Sequence, residues 1–288
     1  MNIKKIIKSF FKSIIGRFPT ISYYVYLIRE IIDISQSPKT SPWGFALAGN
    51  DVMASGNHEP EETIIIRKLL EKVDIFINVG ANVGYYCLHA LSMGKFVIAI
   101  EPITRNLNYL LKNIKINGWE KQIEVFPVAV GQENGILEMY GGGTGASLIK
   151  GWANIPESYK RLVPVLTLDR ILGDTIKGRN TLILADIEGA EYMMLKGAKK
   201  TLQNIPAPIW FVEVSLSEHQ PEGIRINPYF SKTFELFFEN SYFAFTASLN
   251  PEFITPHIIT AVLNGKQILK THNFIFTKDR DLFNGLFK

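Results

Sequence analysis

The chain has 288 residues, 47% of them hydrophobic and 20% charged, with a formal net charge of +4. That length suits one large α/β domain plus an extension. The mild basic balance lacks basic runs interleaved with stacking aromatics, which argues against nucleic acid as a partner. Cys87 is the sole cysteine, so no intramolecular disulfide can form, and a reducing compartment fits.

At the N-terminus Ile3, Ile6, Ile7, Phe10, Phe11, Ile14, Ile15 and Phe18 recur at helical spacing, with Lys4, Lys5, Lys8, Lys12 and Arg17 between them. A basic amphipathic helix of this composition can lie in a membrane interface. Its apolar stripe reads equally well as a surface that docks on the rest of the chain or on a second subunit. Lys8 and Lys12 interrupt the apolar part and no small-residue cleavage site follows, which does not fit a signal peptide. The uncharged run over 18–28 falls short of the roughly 18 apolar residues that a spanning helix needs. The expected location is cytoplasmic, with peripheral contact at the inner membrane face through residues 1–18 on the first of the two readings. A second helix is expected over 21–34. Ser37, Pro38, Ser41 and Pro42 then mark a linker, and a short apolar piece covers 43–48. Residues 1–55 thus read as a helical extension and 56–288 as the main domain.

Residues 56–60 form a turn. Pro60 suits the first turn of a helix, and Glu61 and Glu62 favour its positive end, so a helix is expected to about residue 71. Residues 74–77 read as a short apolar strand ended by Asn78. Gly80, Asn82 and Gly84 follow at every second position, and 85–93 is apolar and helical in character. A strand, a glycine-rich turn and a helix N-terminus together make a nucleotide site. Glycine lets the backbone turn sharply, and Asn tolerates a left-handed conformation at low cost. Residues 96–101 are a buried strand ending in Glu101, placed to accept the two ribose hydroxyls of a nucleoside. The spacing is G-x-x-x-G, not the G-x-G-x-x-G of dinucleotide sites, and no G-x-x-x-x-G-K-[ST] occurs. This favours a nucleoside carrying an amino-acid tail, S-adenosylmethionine, over NAD or ATP.

Thr104 can cap a helix running to about residue 116, with Asn117 and Gly118 as its stop. A third strand covers 122–126. Residues 128–130 and 136–140 flank Gly131-Gln132-Glu133-Asn134-Gly135 as a hairpin. A glycine-rich loop over 141–145 carries Thr144, with Ser147 just beyond. A strand follows over 163–168, with Asp169 as a helix cap. Residues 181–185 are nearly wholly apolar, as a central parallel strand should be, and end in Asp186-Ile187-Glu188-Gly189. A helix over 190–202, a fifth strand over 208–214 carrying Glu213, a helix over 228–239 and strands at 242–245 and 274–277 complete the pattern; 251–270 carries no clear assignment. Strands alternating with helices mean a parallel sheet covered on both faces.

Ligands of such a sheet bind beyond the carboxyl ends of its strands. Asn78, Glu101, Asp186 and Glu213 all fall there, and carboxylates buried without partners would be costly, so a ligand is implied. Asp186 and Glu188 are the catalytic candidates: a carboxylate can orient an acceptor hydroxyl or take its proton. Glu188 reads almost equally well as the start of the next helix, near its positive end. The five histidines form no ligand pair with each other or with Cys87, so no metal site is expected. His219, six residues after Glu213, can reach the same cleft. The absence of a G-x-S-x-G elbow disfavours a serine hydrolase.

Five blocks, in order, carry a family resemblance: N-V-G-A-N-V-G over 78–84, Glu101-Pro102, Ala129-Val130-Gly131, Thr167-Leu168-Asp169, and D-I-E-G-A-E-Y-M-M-L-K-G-A over 186–198. The sequence from about residue 59 to 278 resembles the FkbM family of S-adenosylmethionine-dependent methyltransferases. The resemblance implies a Rossmann-like class I methyltransferase fold, a seven-stranded, mostly parallel sheet with the last strand antiparallel. It also implies O-methylation of a sugar, glycan or natural-product hydroxyl. On it, Asn78, Gly80, Asn82 and Gly84 hold the methionine part of the cofactor, Glu101 the ribose, and Asp186 lies next to the sulfonium. Two positions depart from the family's usual pattern. Leu184 and Ala185 precede Asp186 where the family often carries a lysine, and Asn78 stands where Asp is common. Two rival readings are a non-catalytic S-adenosylmethionine-binding scaffold in a membrane-associated glycan-assembly complex and a nicotinamide oxidoreductase, the latter disfavoured by the glycine spacing.

Overall fold

The computed structural model describes residues 37–284 and residue 286. The helices expected over 3–18 and 21–34 lie outside the described residues. The first half of the chain forms β1 (Lys39–Thr40), β2 (Ala46–Leu47), α1 (Asp51–Ala54), α2 (Pro60–Leu70), β3 (Ile75–Val79), α3 (Tyr85–Ser92), β4 (Phe96–Ile100), α4 (Thr104–Asn117) and β5 (Ile123–Phe126). Next come β6 (Ala129–Val130), β7 (Gly135–Tyr140), β8 (Lys160–Leu166), α5 (Leu168–Leu172), β9 (Thr181–Ala185), α6 (Glu191–Lys196), α7 (Lys199–Leu202) and β10 (Ile209–Glu213). Then follow α8 (Phe230–Glu239), β11 (Phe243–Thr246), β12 (Phe253–Ile254), α9 (Pro256–Leu263) and β13 (Asn273–Thr277).

The main sheet runs β12-β11-β13-β10-β9-β3-β4-β5. Strands β5, β4, β3, β9 and β10 are parallel, and β13 lies antiparallel between β10 and β11. These are the seven strands and the antiparallel last strand that the resemblance implies. The two-residue β12 adds an eighth at the edge, antiparallel to β11. Chain order reverses at β3, which has β4 on one side and β9 on the other, so a crevice opens there at the carboxyl ends.

Strand alternation sends the two sets of side chains into separate cores. Phe76, Val97, Leu182, Leu184 and Phe211 pack with Ile65, Ile66 and Leu69 of α2, Leu88 of α3 and Leu110 of α4. Ile75, Ile77, Ile98, Ile183, Trp210 and Val212 pack with Leu168 of α5, Met194 of α6 and Phe234 and Phe237 of α8. Both faces of the sheet are covered, which is why its central strands carry near-continuous apolar runs. Phe45, Leu47, Ala48, Met53 and Ala54, assigned from sequence to the N-terminal extension, belong to the first of these cores.

Several local expectations need correction. Strands β6 and β7 do not form a hairpin: β8 lies between them, parallel to β6 and antiparallel to β7. The linker over 37–42 contains β1, which pairs with β2. Thr104 does not cap α4, whose N-cap is Ile103. Asp169 does not cap its own helix. Thr167 caps α5 by accepting from the Arg170 N–H at 3.2 Å. The Asp169 carboxylate instead accepts from the backbone N–H groups of Lys200 and Thr201, both at 2.9 Å, and so caps α7 from a distance. The helix expected over 190–202 is broken at Gly197, where a Cβ would sit 2.2 Å from the Gly131 carbonyl oxygen.

Candidate functional site

The register of the sheet builds the site. Val79 pairs with Ile100 and with Ala185, and Ala185 pairs with Val212. The residues one step further along, Glu101, Gly80, Asp186 and Glu213, therefore form a row just past the strand ends. By alternation Asn78, Glu101, Asp186 and Glu213 share the face covered by α2, α3 and α4. Gly80 sits at φ +84° with its Cα pressed on the neighbouring strand; a Cβ there would lie 2.0 Å from the Asp186 carbonyl oxygen. All five line one cavity of about 430 Å³, within the usual range of small-molecule sites. Asn82, Glu188 and His219 line it as well. Gly84 does not. It is the N-cap of α3 at φ +93°, and a Cβ there would meet Leu110 Cδ1 at 2.6 Å, so its part is to close-pack the turn against α4.

Glu101 is buried and anchors the glycine turn. Its Oε2 accepts the Asn82 N–H at 2.7 Å; its Oε1 accepts the Ile103 N–H at 2.8 Å and the Asn106 Nδ2 at 3.3 Å. Three of roughly four acceptor positions of the carboxylate are thus filled, leaving room for one more donor. Burial pushes its carboxyl up to about 7, against the lowering effect of these bonds. The Oδ1 atoms of Asn78, Asn82 and Asn106 are buried without a hydrogen-bond partner, and all three residues line the cavity. Buried acceptors without donors are costly. A nucleoside with two sugar hydroxyls and an ammonium group brings the donors that this wall lacks, so the residues present fit S-adenosylmethionine.

The opposite half of the cavity is acidic. Glu188 is held by the Trp152 indole, whose Nε1–H donates to its Oε2 at 2.7 Å, while the Ser147 hydroxyl donates to its carbonyl oxygen at 2.6 Å. Burial raises its carboxyl. Asp186 is deeply set yet keeps some surface open to the cavity, and burial together with the negative charges of Glu213 and Glu188 raises its carboxyl strongly. Burial, then the charges of Glu191 and Glu188, push Glu213 up to about 8. Seven described non-glycine residues have positive φ, and four of them, Glu59, Asn82, Glu188 and His219, line this cavity. For the bulkier Glu59, Glu188 and His219 such a conformation is strained, and backbone strain tends to cluster at functional sites.

The N-terminal segment contributes Asn50, Met53, His58 and Glu59 to the wall. Glu59 Oε2 accepts the Tyr86 hydroxyl at 2.6 Å and lies 3.5 Å from His58 Nε2. His272 joins from the start of β13, its Nδ1 3.1 Å from Glu218 Oε2. Sequence reasoning did not reach Asn50, His58, Glu59, Asn106, Glu218 or His272. They come from five separate segments and share no local pattern; the one available signal was Glu59-Pro60, an acid at a helix start.

A family model described as the Methyltransferase FkbM domain matches residues 78–243, more than half of the chain. The chain belongs to the FkbM methyltransferase family. The matched region opens on Asn78 and takes in Glu101, Asp186, Glu188 and Glu213, whereas the cavity wall from Asn50 to Glu59 lies ahead of it. Among solved structures, this FkbM methyltransferase is similar to a methyltransferase FkbM from Methylobacillus flagellatus KT, at 18% identity and a TM-score of 0.42, covering 70% of this chain and 43% of that one. It is also similar to a precorrin-6y C5,15-methyltransferase from Geobacter metallireducens GS-15, at 11% identity and a TM-score of 0.39, covering 81% of this chain and 92% of that one. A SAM-dependent methyltransferase from Agrobacterium tumefaciens shows 13% identity and a TM-score of 0.42, covering 85% of this chain and 70% of that one. No curated protein sequence matches the chain.

Proposed function

We propose that this FkbM methyltransferase transfers the methyl group of S-adenosylmethionine to a hydroxyl oxygen of a saccharide, glycan or natural product. The observation that carries the reading is the row Glu101, Gly80, Asp186 and Glu213 bordering one cavity beside the unpartnered amide oxygens of Asn78, Asn82 and Asn106. When bound, S-adenosylmethionine supplies an electrophilic methyl group on a positively charged sulfur. Glu101 would accept a ribose hydroxyl with the capacity that its three present bonds leave. Asn78, Asn82 and the backbone at Gly80 would border the amino-acid tail, with Gly84 holding the turn closed from behind. The acidic wall of Asp186 and Glu213 suits a cationic donor, and Asp186 is the group placed to handle the acceptor's proton. Glu188, tied to Trp152 and Ser147, would hold the loop over 147–152 against the cavity and orient the acceptor.

Calorimetric titration of the purified protein with S-adenosylmethionine and with NAD tests the cofactor. Binding of the first and not the second is expected, and binding of NAD alone would overturn the reading. Incubation with methyl-labelled donor and cell extract tests the bond formed. An ether-linked methyl group survives mild alkali, whereas an ester releases its label.

We place the protein on the cytoplasmic side, with residues 1–18 touching the inner membrane face. None of the described helices is long and apolar enough to cross a membrane, and the peripheral contact rests on the sequence pattern of 1–18. Removing residues 1–17 should abolish sedimentation with anionic vesicles and leave donor binding intact. A truncated chain that still sediments removes the idea.

A further inference from the structure

Because Ala185 and Val212 are in register on parallel strands, Asp186 and Glu213 emerge side by side, on backbones about 4.8 Å apart. Both carboxyls line the same cavity, and each acts on the other's acidity. Two carboxyl groups set side by side in a buried hollow favour a state in which one of them keeps a proton. The surroundings reinforce this. Glu59 faces the pair from the start of α2, and Glu188 and Glu191 face it from the turn after β9. His219, His272 and Glu218 complete the far wall, and no Lys or Arg is among the described residues that line the cavity.

We propose that Asp186 and Glu213 share one proton in the free enzyme, release it when the cationic methyl donor enters, and then take the proton of the acceptor hydroxyl during transfer. The inference rests on the methyl-donor reading above and names the base that it needs. The step balances. The acceptor oxygen forms a bond to the methyl carbon as the carbon–sulfur bond breaks, the electron pair goes to sulfur, and the hydroxyl proton goes to the pair. Before the step the donor's single net positive charge faces two carboxylates. After it a neutral thioether product faces one carboxylate and one carboxylic acid. The net charge of donor and pair together is the same, one negative, before and after the step, so transfer leaves no uncompensated change of charge in the cavity. Glu188 is less suited to this part because its Oε2 is already engaged by Trp152.

The test needs no acceptor. Calorimetric titration in buffers of different ionisation enthalpy counts the protons released on binding. S-adenosylmethionine should release about one proton near neutral pH and S-adenosylhomocysteine, which lacks the positive sulfur, close to none. The difference should vanish in Glu213→Gln and in Asp186→Asn, each of which keeps a hydrogen-bonding side chain of nearly the same shape. Equal proton counts for both ligands in the unaltered protein, or a difference that persists in both variants, would overturn the proposal. Failure of either ligand to bind would instead bring down the methyl-donor reading beneath it.

Discussion

Glu191 ties the turn that follows β9. Its Oε1 accepts the N–H groups of Ile187 at 3.3 Å and Gly189 at 3.1 Å, and its side chain is buried at 3% exposure. Burial, the larger influence, nevertheless pushes its carboxyl up to about 8. The folded state therefore holds a proton that the unfolded chain has already lost above its ordinary value near 4.5. The stability this contributes is full below that value and is lost as pH rises through about 8. Glu101 and Glu213 act in the same direction. His89, lowered by burial to about 3, works oppositely but only below its usual 6.5, so the carboxyls rule between pH 6.5 and 8. Glu191→Gln keeps an oxygen for both N–H groups and removes the charge. It should leave stability near pH 4 almost unchanged, raise it progressively as pH climbs, by an amount of order 1 kcal/mol or more at pH 8.5, and flatten the decline between them. Urea unfolding across that range measures it, and an unchanged slope would show that Glu191 keeps its ordinary acidity. Glu101→Ala removes the acceptor of the Asn82 and Ile103 N–H groups. Donor binding should weaken by about 1.5–3 kcal/mol, the usual worth of hydrogen bonds to a charged group. An unchanged dissociation constant would take Glu101 out of the site.

Among the elements, α4 does something its amphipathic pattern does not announce. Asn113 Oδ1 accepts the Ala48 N–H at 2.8 Å, and its Nδ2 donates to the carbonyls of Ala48 at 3.0 Å and Val83 at 2.8 Å. One turn later Asn117 repeats the pattern on Ala46, at 2.9 and 2.8 Å. Two amides on one helix face thus stand in for the neighbouring strand that β2 lacks on this side, and they fix the segment that delivers Asn50, His58 and Glu59 to the cavity. Asn113→Ala would leave three buried backbone groups without partners, each costing about 1–3 kcal/mol. We expect a loss of about 3 kcal/mol or more in stability and faster proteolysis within residues 39–50, read by limited digestion; resistance equal to that of the unaltered chain would show that apolar packing alone holds β2. This arrangement also marks the limit of what the sequence could tell. Strands β3, β4, β9 and β10 and the acids at their ends were legible because period, apolarity and punctuation are local. The Asn113–Ala48 clasp spans 65 residues and leaves no local trace. The misread hairpin failed for the same reason: Gly131 to Gly135 has turn chemistry, but β8, arriving from residue 160 onward, takes the place between β6 and β7. Gly84 has the spacing of a ligand-facing glycine and is instead needed for Leu110, a contact visible only once α4 is in place.

For the molecule as a whole, charge is distributed in two opposing ways. The chain carries a net +4, yet its cavity is lined by the carboxyls of Glu59, Glu101, Asp186, Glu188, Glu213 and Glu218 and, among the described residues, by no Lys or Arg. Glu101 is engaged with the turn, and a bound donor offsets only one further charge. The acceptor therefore meets a wall with negative charge to spare, in a hollow where solvent screens weakly. An acceptor bearing a phosphate or carboxylate near its reacting hydroxyl would face repulsion with no Lys or Arg among the described lining residues to offset it, a form of selection by exclusion. Hydroxyl groups find the opposite, because carboxylates are strong acceptors for them. The expected acceptor is a polyhydroxylated group that is uncharged or amine-bearing at the site of reaction. Transfer from methyl-labelled donor into a cell extract, followed by hydrolysis and separation of the labelled sugars by charge, reads this directly. Label should run with the neutral or amine-bearing fraction at least tenfold over the anionic one, a ratio that corresponds to about 1.4 kcal/mol of discrimination. A majority of label in uronic acids or phosphorylated sugars would overturn this selection by exclusion.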